Sequence, residues 1–146
     1  MKSFIDTNLF VYASYRRYPQ HEKAKTFLKG CTEGVDRYYL SWGVAYEYLR
    51  LVTHPKLFVG ETLTFEKALK NVLQFMDFPT VEILQETAEH SKCLSQLEKE
   101  GVLLQGNLLH DAHSVALMKE HDIRRIYTAD TDFHKFKGLQ VVNPVY

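Results

Sequence analysis

Short apolar runs alternate with longer stretches of helical spacing along this chain, and the alternation predicts its strands and helices. Five short runs of apolar, aromatic and β-branched residues predict strands at residues 3–5, 37–40, 80–84, 125–128 and 140–142. Apolar positions recur at helical spacing in six stretches, residues 8–18, 19–30, 42–52, 65–76, 86–100 and 108–121. Ser41, Thr64 and Asn107 precede three of these stretches and are expected to cap them.

Strands that alternate with helices of roughly ten or more residues are typical of a parallel sheet, because crossovers between parallel strands need that length. The predicted fold class is therefore α/β, with helices on both faces of a central parallel sheet. No repeat or Pro/Gly/Ser-rich linker divides the chain, so we expect residues 1–146 to form one domain.

Composition places the chain among folded globular proteins. Of its 146 residues, 45% are hydrophobic and 25% charged, which argues against disordered, collagen-like and coiled-coil classes. Its apolar runs are far shorter than the roughly 20 residues that cross a bilayer, and no signal-type block follows Met1, so we expect no membrane segment and a cytoplasmic location. Cys31 and Cys93 are expected to be small core hydrophobes.

The charges balance overall but are unevenly distributed. Lys+Arg and Asp+Glu number 18 each, which removes the simplest argument for nucleic-acid binding. Residues 1–39 and 124–146 are mildly basic, whereas residues 77–123 are acidic. Two interpretations stay open, an unevenly charged solvated surface or an acidic cleft with a basic rim.

Three aspartates occupy positions that suggest chemistry. Asp6 directly follows the first predicted strand and Asp130 lies just past the fourth, at the sheet edge where α/β proteins bind ligands. Either could instead be a simple helix cap. Asp111 shares a helix face with Val115 and Met118, so it is expected to be partly buried and to need a partner; near the helix start it could instead be exposed, complementing the dipole.

A fourth acid, Glu47, lies in a helix that is otherwise largely apolar. The small Gly43 one turn earlier leaves space for a ligand to approach it, although a surface pair with Arg50 is an equal alternative. His110 and His113 could suggest a metal site, but their i, i+3 spacing favours surface or core roles.

Four acids gathered at one sheet edge would repel one another and raise each other's pKa unless a cation were present. Carboxylate oxygens suit Mg²⁺ or Mn²⁺, which can activate a water and stabilise charge on a leaving oxygen. Asp6, Glu47, Asp111 and Asp130 together therefore predict a metal-dependent phosphoryl-transfer enzyme.

Four segments in this order resemble PIN-domain ribonucleases, namely residues 4–8, 41–49, 107–112 and 128–133, which hold Asp6, Glu47, Asp111 and Asp130. The ending Val141-Val142-Asn143-Pro144 is similar to the tail of the VapC toxins of toxin–antitoxin pairs. The resemblance implies a sheet in 3-2-1-4-5 order, a Mg²⁺ or Mn²⁺ site and endonucleolytic cleavage of RNA. It also implies a homodimer and a cognate VapB-like antitoxin that docks near the site.

The resemblance further assigns roles to individual residues. It implies that Asp6 and Asp111 are the most direct metal ligands, that Glu47 and Asp130 complete the quartet and that Asp132 matches a less regular fifth acid. Whether Asp130 or Asp132 faces the metal stays open. Thr7, Asn8 and Thr128 would orient the ligands.

Contacts with RNA are expected from basic and aromatic side chains around the cleft. The candidates are Arg16, Arg17, Lys23, Lys25, Arg50, His134, Lys135 and Lys137, with Tyr15, Tyr18 and Tyr46 for stacking on bases. Solvated helix faces and core aromatics remain the simpler interpretation of most of them.

Two other functions stay open from the sequence. A receiver domain or phosphatase would use one aspartate to accept a phosphoryl group, although Asp6-Thr7-Asn8 lacks the second aspartate of the usual phosphatase motif and the acidic pair of receivers. A non-catalytic module could keep the fold and use the cleft for protein contacts.

Overall fold

Five parallel strands form one sheet in the computed structural model, which describes every residue from Met1 to Tyr146. The strands are β1 (Lys2–Ile5), β2 (Arg37–Ser41), β3 (Val81–Leu84), β4 (Arg125–Tyr127) and β5 (Gln140–Val142). Their order is β3-β2-β1-β4-β5, and every neighbouring pair is parallel. This confirms the predicted α/β class and strand order, and it differs from the 2-1-3-4-5 order of receiver domains.

Six helices flank the sheet. They are α1 (Thr7–Ser14), α2 (His21–Cys31), α3 (Trp42–Thr53), α4 (Phe65–Met76), α5 (His90–Lys99) and α6 (Leu108–Glu120), and a 3-10 helix (Thr131–Lys135) follows β4. The chain steps one way from β1 to β3 and back the other way to β4, so right-handed crossovers place α1–α4 on one face and α5 and α6 on the other. No helix is both long and apolar enough to cross a bilayer.

The main core lies where β1, β4 and α6 meet. Phe4, Ile5 and Ile126 are fully buried there, together with Val115 and Met118 of α6. This confirms that the α6 face which Asp111 shares points inward. A second, smaller core between α1, α3 and α4 is built around the buried Tyr48 and Val52. Cys31 is buried and Cys93 half-buried, and both are free thiols.

Two of the three predicted helix caps are present. Ser41 Oγ accepts a 3.1 Å hydrogen bond from the Val44 amide, and Thr64 Oγ1 accepts one of 3.2 Å from the Lys67 amide. The predicted cap at Asn107 is wrong. Its backbone is already helical (φ −62°, ψ −24°), its side chain makes no capping bond, and the residue lines a cleft instead.

The first helix is shorter than the predicted residues 8–18. It ends at Ser14 because Tyr15 turns into the second core, where its ring is 3% exposed and stacks on Phe58 with centroids 4.0 Å apart. Burial of one aromatic ring thus outweighs the continuation of helical spacing.

The fifth helix begins at His90 rather than at residue 86. Thr87 donates from both its amide and its hydroxyl to Glu120 Oε1, at 2.7 and 2.8 Å. These bonds hold the segment between β3 and α5 against α6, so helical geometry begins only after it.

The strand order reverses between β1 and β4, and this point positions the chemistry. The Asp6 amide donates a 3.0 Å hydrogen bond to the Tyr127 carbonyl, so the carboxyl ends of the two strands lie side by side. In open α/β sheets, ligands bind outside the carboxyl ends at such a switch point.

Candidate active site

An open cleft with two lobes lies at the carboxyl edge of β1 and β4. The larger lobe has a volume of about 820 Å³ and the smaller about 270 Å³. Glu47, Asp111 and Asp130 line both lobes, Asp6 lines the smaller one and Asp132 the larger one. The structure therefore brings all five acids singled out in the sequence to one cleft, from the end of β1, α3, α6 and the segment after β4.

Asp6 is the most buried of these acids, with 7% of its surface exposed. Its Oδ2 accepts hydrogen bonds from Thr128 Oγ1 at 2.7 Å and from Asn8 Nδ2 at 3.2 Å, and it makes no capping bond to α1. Burial raises the pKa of Asp6 to about 6, against the opposing effects of the Thr128 hydroxyl and the Thr7 amide, and the charges of Glu47 and Asp130 raise it further. Asp6 thus stands at the N-cap position of α1, but its side chain is directed to Thr128 and Asn8, so it is not a simple helix cap.

Thr128 and Asn8 join the end of β4 to the start of α1. Asn8 Nδ2 donates to Thr128 Oγ1 at 3.0 Å, and Asn8 Oδ1 accepts from the Ala129 amide at 3.2 Å. Thr128 Oγ1 also accepts from the Asp130 amide at 3.0 Å. The hydroxyl of Thr128 thus uses its one proton for Asp6 and both lone pairs for its other partners, which fixes the Asp6 carboxylate in one orientation.

Asp111 lies one turn into α6 and is half-buried. Burial raises its pKa to about 7, with further contributions from the negative charges of Asp6, Asp130 and Glu47. Each of the other three acids is close enough to make ionisation of Asp111 harder. The cleft therefore holds more negative charge than its protein surroundings compensate.

Three of the acids can converge on a single point. Asp111, Asp130 and Asp132 each offer a carboxylate oxygen, and these oxygens lie within 4.8 Å of one another. Asp130 Oδ1 accepts a 2.8 Å bond from the Asp132 amide, which caps the 3-10 helix. Asp132 is exposed and its Oδ1 lies 3.2 Å from Lys135 Nζ. Asp130 thus lies deeper in the cleft than Asp132.

Glu47 interacts with Thr7 and His110 rather than forming the alternative surface pair with Arg50. Thr7 Oγ1 donates to Glu47 Oε2 at 3.0 Å, and His110 Nε2 lies 2.5 Å from the same oxygen. Burial alone would raise the pKa of Glu47, but His110 and Thr7 outweigh it and leave that pKa lowered. The pKa of His110 is raised because Glu47 stabilises its charged form against the effect of burial.

Surface or core roles were expected for the two histidines, and the structure places both, partly exposed, on the wall of the cleft. His110 and His113 both line the larger lobe of the cleft. His113 Nε2 lies 2.6 Å from Oε1 of Glu86, which belongs to the segment after β3. The sequence drew attention to both histidines but not to their partners, because Glu47 and Glu86 come from remote segments and spacing along one helix carries no information about them.

Few of the side chains proposed to contact RNA reach the cleft. Tyr46 and Arg50 line the larger lobe, and Tyr18 lines the smaller one. Tyr15 is buried against Phe58 and cannot stack on a base, so that expectation is wrong. The remaining candidates do not line either lobe: Arg16, Arg17, Lys23, Lys25, His134, Lys135 and Lys137.

Comparison with known proteins agrees with this geometry. Residues 3–139 match the family model described as PIN domain. Ribonuclease VapC48 of Mycobacterium tuberculosis is 39% identical over 144 residues, which cover 99% of this chain and 98% of that protein.

Two solved structures share the fold at 18% sequence identity. A VapBC2 structure from Rickettsia felis, bound to a promoter DNA fragment, matches with a TM-score of 0.69 over 98% of both chains. Mycobacterium tuberculosis VapC20, described as a sarcin-ricin loop cleaving toxin, matches with a TM-score of 0.65 over 90% of this chain and 92% of its own. The family match and the 39% identity confirm the resemblance carried by the four segments: the chain belongs to the PIN-domain family, in its branch of VapC ribonucleases.

Proposed function

We propose that this protein is a Mg²⁺-dependent endoribonuclease that hydrolyses RNA phosphodiester bonds and acts as the toxin of a type II toxin–antitoxin pair. The observation that carries the proposal is the meeting of five acids from four separate segments in one cleft. The relationship to Ribonuclease VapC48 supports RNA as the substrate. An RNA substrate in turn favours action in the cytoplasm.

The residues of the cleft fit a hard divalent cation. The pKa values of Asp6, raised to about 6, and of Asp111, raised to about 7, reflect burial and crowded negative charge that a dication would offset. The five acids offer carboxylate oxygens, which Mg²⁺ and Mn²⁺ prefer. We assign Asp6 and Asp111 as the most direct ligands, completed by Glu47 and Asp130, with Asp132 as a more exposed fifth acid.

When bound, Mg²⁺ supplies an activated water and stabilises charge on the leaving oxygen of the phosphodiester. The work of the chain is to hold its carboxylates for that purpose. Thr128 and Asn8 orient Asp6, while Thr7 and His110 orient Glu47. Because these partners already hold the Asp6 and Glu47 carboxylates in place, the two side chains lose less conformational freedom when they bind a metal ion.

The larger lobe offers features suited to an RNA strand. Arg50 lies exposed beside the acids and can pair with a phosphate, and Tyr46, which is 68% exposed, can stack on a base. Because the chain has no overall excess of basic residues, recognition of a shaped RNA element is expected to use a homodimer.

A cognate VapB-like antitoxin is the proposed protein partner. Some structures that share this fold come from VapBC proteins, including VapBC2 of Rickettsia felis. In this proposal the antitoxin docks near the cleft and blocks access of RNA to the acids.

RNA cleavage by the purified protein tests the proposal. Wild type is expected to cleave RNA in Mg²⁺ and to stop in EDTA, and Asp6→Ala or Asp111→Asn should lower the rate by about 100-fold or more. Asp77→Asn, at an exposed aspartate after α4, is the matched control and should cleave like wild type. Wild-type rates in the Asp6 and Asp111 variants would remove these acids from the reaction, and absence of cleavage by wild type on any RNA would favour a non-catalytic module.

A further inference from the structure

A second cluster of potential metal ligands lies at the β3 side of the same sheet edge. It consists of Glu86 from the segment after β3, His90 at the start of α5 and His113 of α6. We propose that these three residues bind a divalent transition-metal ion of the Zn²⁺ type, at a site separate from the acidic cluster. This proposal does not depend on the proposed function.

The three side chains already lie close to coordinating distance. Their ligand atoms are all within 4.8 Å of one another, and His113 Nε2 lies 2.6 Å from Glu86 Oε1. Nitrogen and oxygen ligands lie about 2.0–2.2 Å from zinc, so two ligands of one ion are at most about 4.4 Å apart. Small side-chain rotations are enough to bring the three atoms around one ion.

His90 is oriented in the way that metal-binding histidines commonly are. Its Nδ1 lies 2.6 Å from Glu120 Oε2, which leaves Nε2 as the ring nitrogen for a metal. The Glu120 side chain is itself fully buried and accepts two hydrogen bonds from Thr87. A carboxylate on the second ring nitrogen fixes the tautomer and raises the basicity of the coordinating nitrogen.

His113 is positioned by a close approach to α3. A Cβ added at Gly43 would lie 2.8 Å from Nδ1 and 3.0 Å from Cε1 of His113, so only glycine leaves room for the ring there. With Nδ1 packed against Gly43, Nε2 points to Glu86. The rings of His113 and His90 stand perpendicular, with centroids 5.6 Å apart.

The donor set determines which ions fit. Two imidazoles and one carboxylate favour Zn²⁺ and related transition metals, whereas Mg²⁺ and Mn²⁺ prefer oxygen donors. The Glu86 side chain is 51% exposed and that of His113 is 31% exposed, so an ion can enter from solvent and keep a water as a fourth ligand. The two clusters at this sheet edge therefore select different classes of ion.

Binding of Co²⁺ and Zn²⁺ to the full-length protein in saturating Mg²⁺ tests the proposal. Wild type and Asp111→Asn are both expected to bind one Zn²⁺, measured by calorimetry, and one Co²⁺, measured by its visible absorption. His90→Gln and His113→Gln should each weaken binding by about 100-fold, and Glu120→Gln by about 10–100-fold. His54→Gln, at the far end of α3, is the control and should bind like wild type.

Glu86→Gln distinguishes a lost ligand from a misfolded protein. Glu86 is exposed, so its replacement should leave the temperature of thermal unfolding unchanged. Weaker Zn²⁺ binding by this variant, with normal unfolding, supports the site. The proposal is overturned if wild type shows no saturable binding in Mg²⁺, if binding survives in the Glu86, His90 and His113 variants, or if Asp111→Asn abolishes it.

Discussion

Thr128 Oγ1 donates a 2.7 Å hydrogen bond to Asp6 Oδ2, and this contact fixes a buried acid at the end of β1 from the end of the neighbouring strand. The same hydroxyl accepts from the Asp130 amide. One side chain thus sets the positions of two acids in the cleft, although it is not itself one of the charged groups.

Replacing Thr128 with valine should slow RNA cleavage by about 10–100-fold, because Asp6 loses its shortest hydrogen bond while the volume of the side chain is kept. Thr128→Ser keeps the hydroxyl and should remain near the wild-type rate. Single-turnover cleavage in saturating Mg²⁺ measures both variants. Equal rates for the valine and serine variants would contradict a positioning role.

Asp111→Asn should stabilise the metal-free protein while it abolishes cleavage. Burial and three neighbouring acids raise the pKa of Asp111 to about 7, so its ionised form destabilises the fold at pH 8. In EDTA at that pH we expect the variant to melt about 3 °C above wild type. A melting temperature of the variant below that of wild type would contradict this, because it would show that neighbouring groups stabilise the ionised Asp111 carboxylate.

The metal-free protein should lose stability as pH rises from about 4 to about 7. The pKa of Asp6 is raised from 3.8 to about 6 and that of Asp111 from 3.8 to about 7. Across this window the folded chain binds more protons than the unfolded chain, so the free energy of unfolding falls with pH. Urea titrations in EDTA measure it, and the difference between wild type and an Asp6→Asn, Asp111→Asn double variant isolates these two groups. A pH-independent difference would contradict the prediction.

His110→Gln should move the acid limb of the cleavage rate to higher pH. His110 lowers the pKa of Glu47 through a 2.5 Å contact, so Glu47 in the variant requires a higher pH to ionise. The dependence of kcat/KM on pH measures the shift. Arg50 lowers the pKa of Glu47 less than His110 does, so Arg50→Gln should shift the acid limb less. An unchanged pH profile for His110→Gln would show that its contact with Glu47 does not influence cleavage.

Gly43→Ala should displace the His113 ring without unfolding the protein. The added Cβ comes too close only to the His113 ring, which can rotate, and it meets Ser41 Oγ at an ordinary contact distance of 3.4 Å. Alanine also favours the helix by up to about 1 kcal/mol over glycine. We expect a changed NMR shift for His113, weaker Zn²⁺ binding and a melting temperature no lower than that of wild type. An unperturbed His113 resonance would contradict the close packing against α3.

The strand ends and the acids that follow them were predictable because they depend on local signals. The apolar runs before Asp6 and Asp130 mark two strands of a parallel sheet, whose carboxyl ends share an edge. That these two strands are neighbours was implied only by the family resemblance, and the structure confirms it. Helix ends were less predictable where a distant contact decides them. The packing of Tyr15 on Phe58 ends α1, and the bonds from Thr87 to Glu120 delay α5.

The contacts of the two histidines could not be predicted from the sequence either, because they too depend on residues that are distant along the chain. His110 meets Glu47 and His113 meets Glu86 only after α3, α6 and the end of β3 have been brought together. Spacing along α6 places the two histidines on that helix but says nothing of the side chains opposite them. Neighbours from other elements therefore decided which of the candidate polar residues reached the cleft.

The most direct test of the account is whether one divalent ion lies among the acids of the cleft. Anomalous scattering from crystals of the protein soaked in Mn²⁺ locates the ion without reference to activity. We expect a peak within coordinating distance of the Asp6 and Asp111 carboxylates, and none in crystals of Asp111→Asn. Crystals with full Mn²⁺ exposure and no peak between these carboxylates would contradict the central claim.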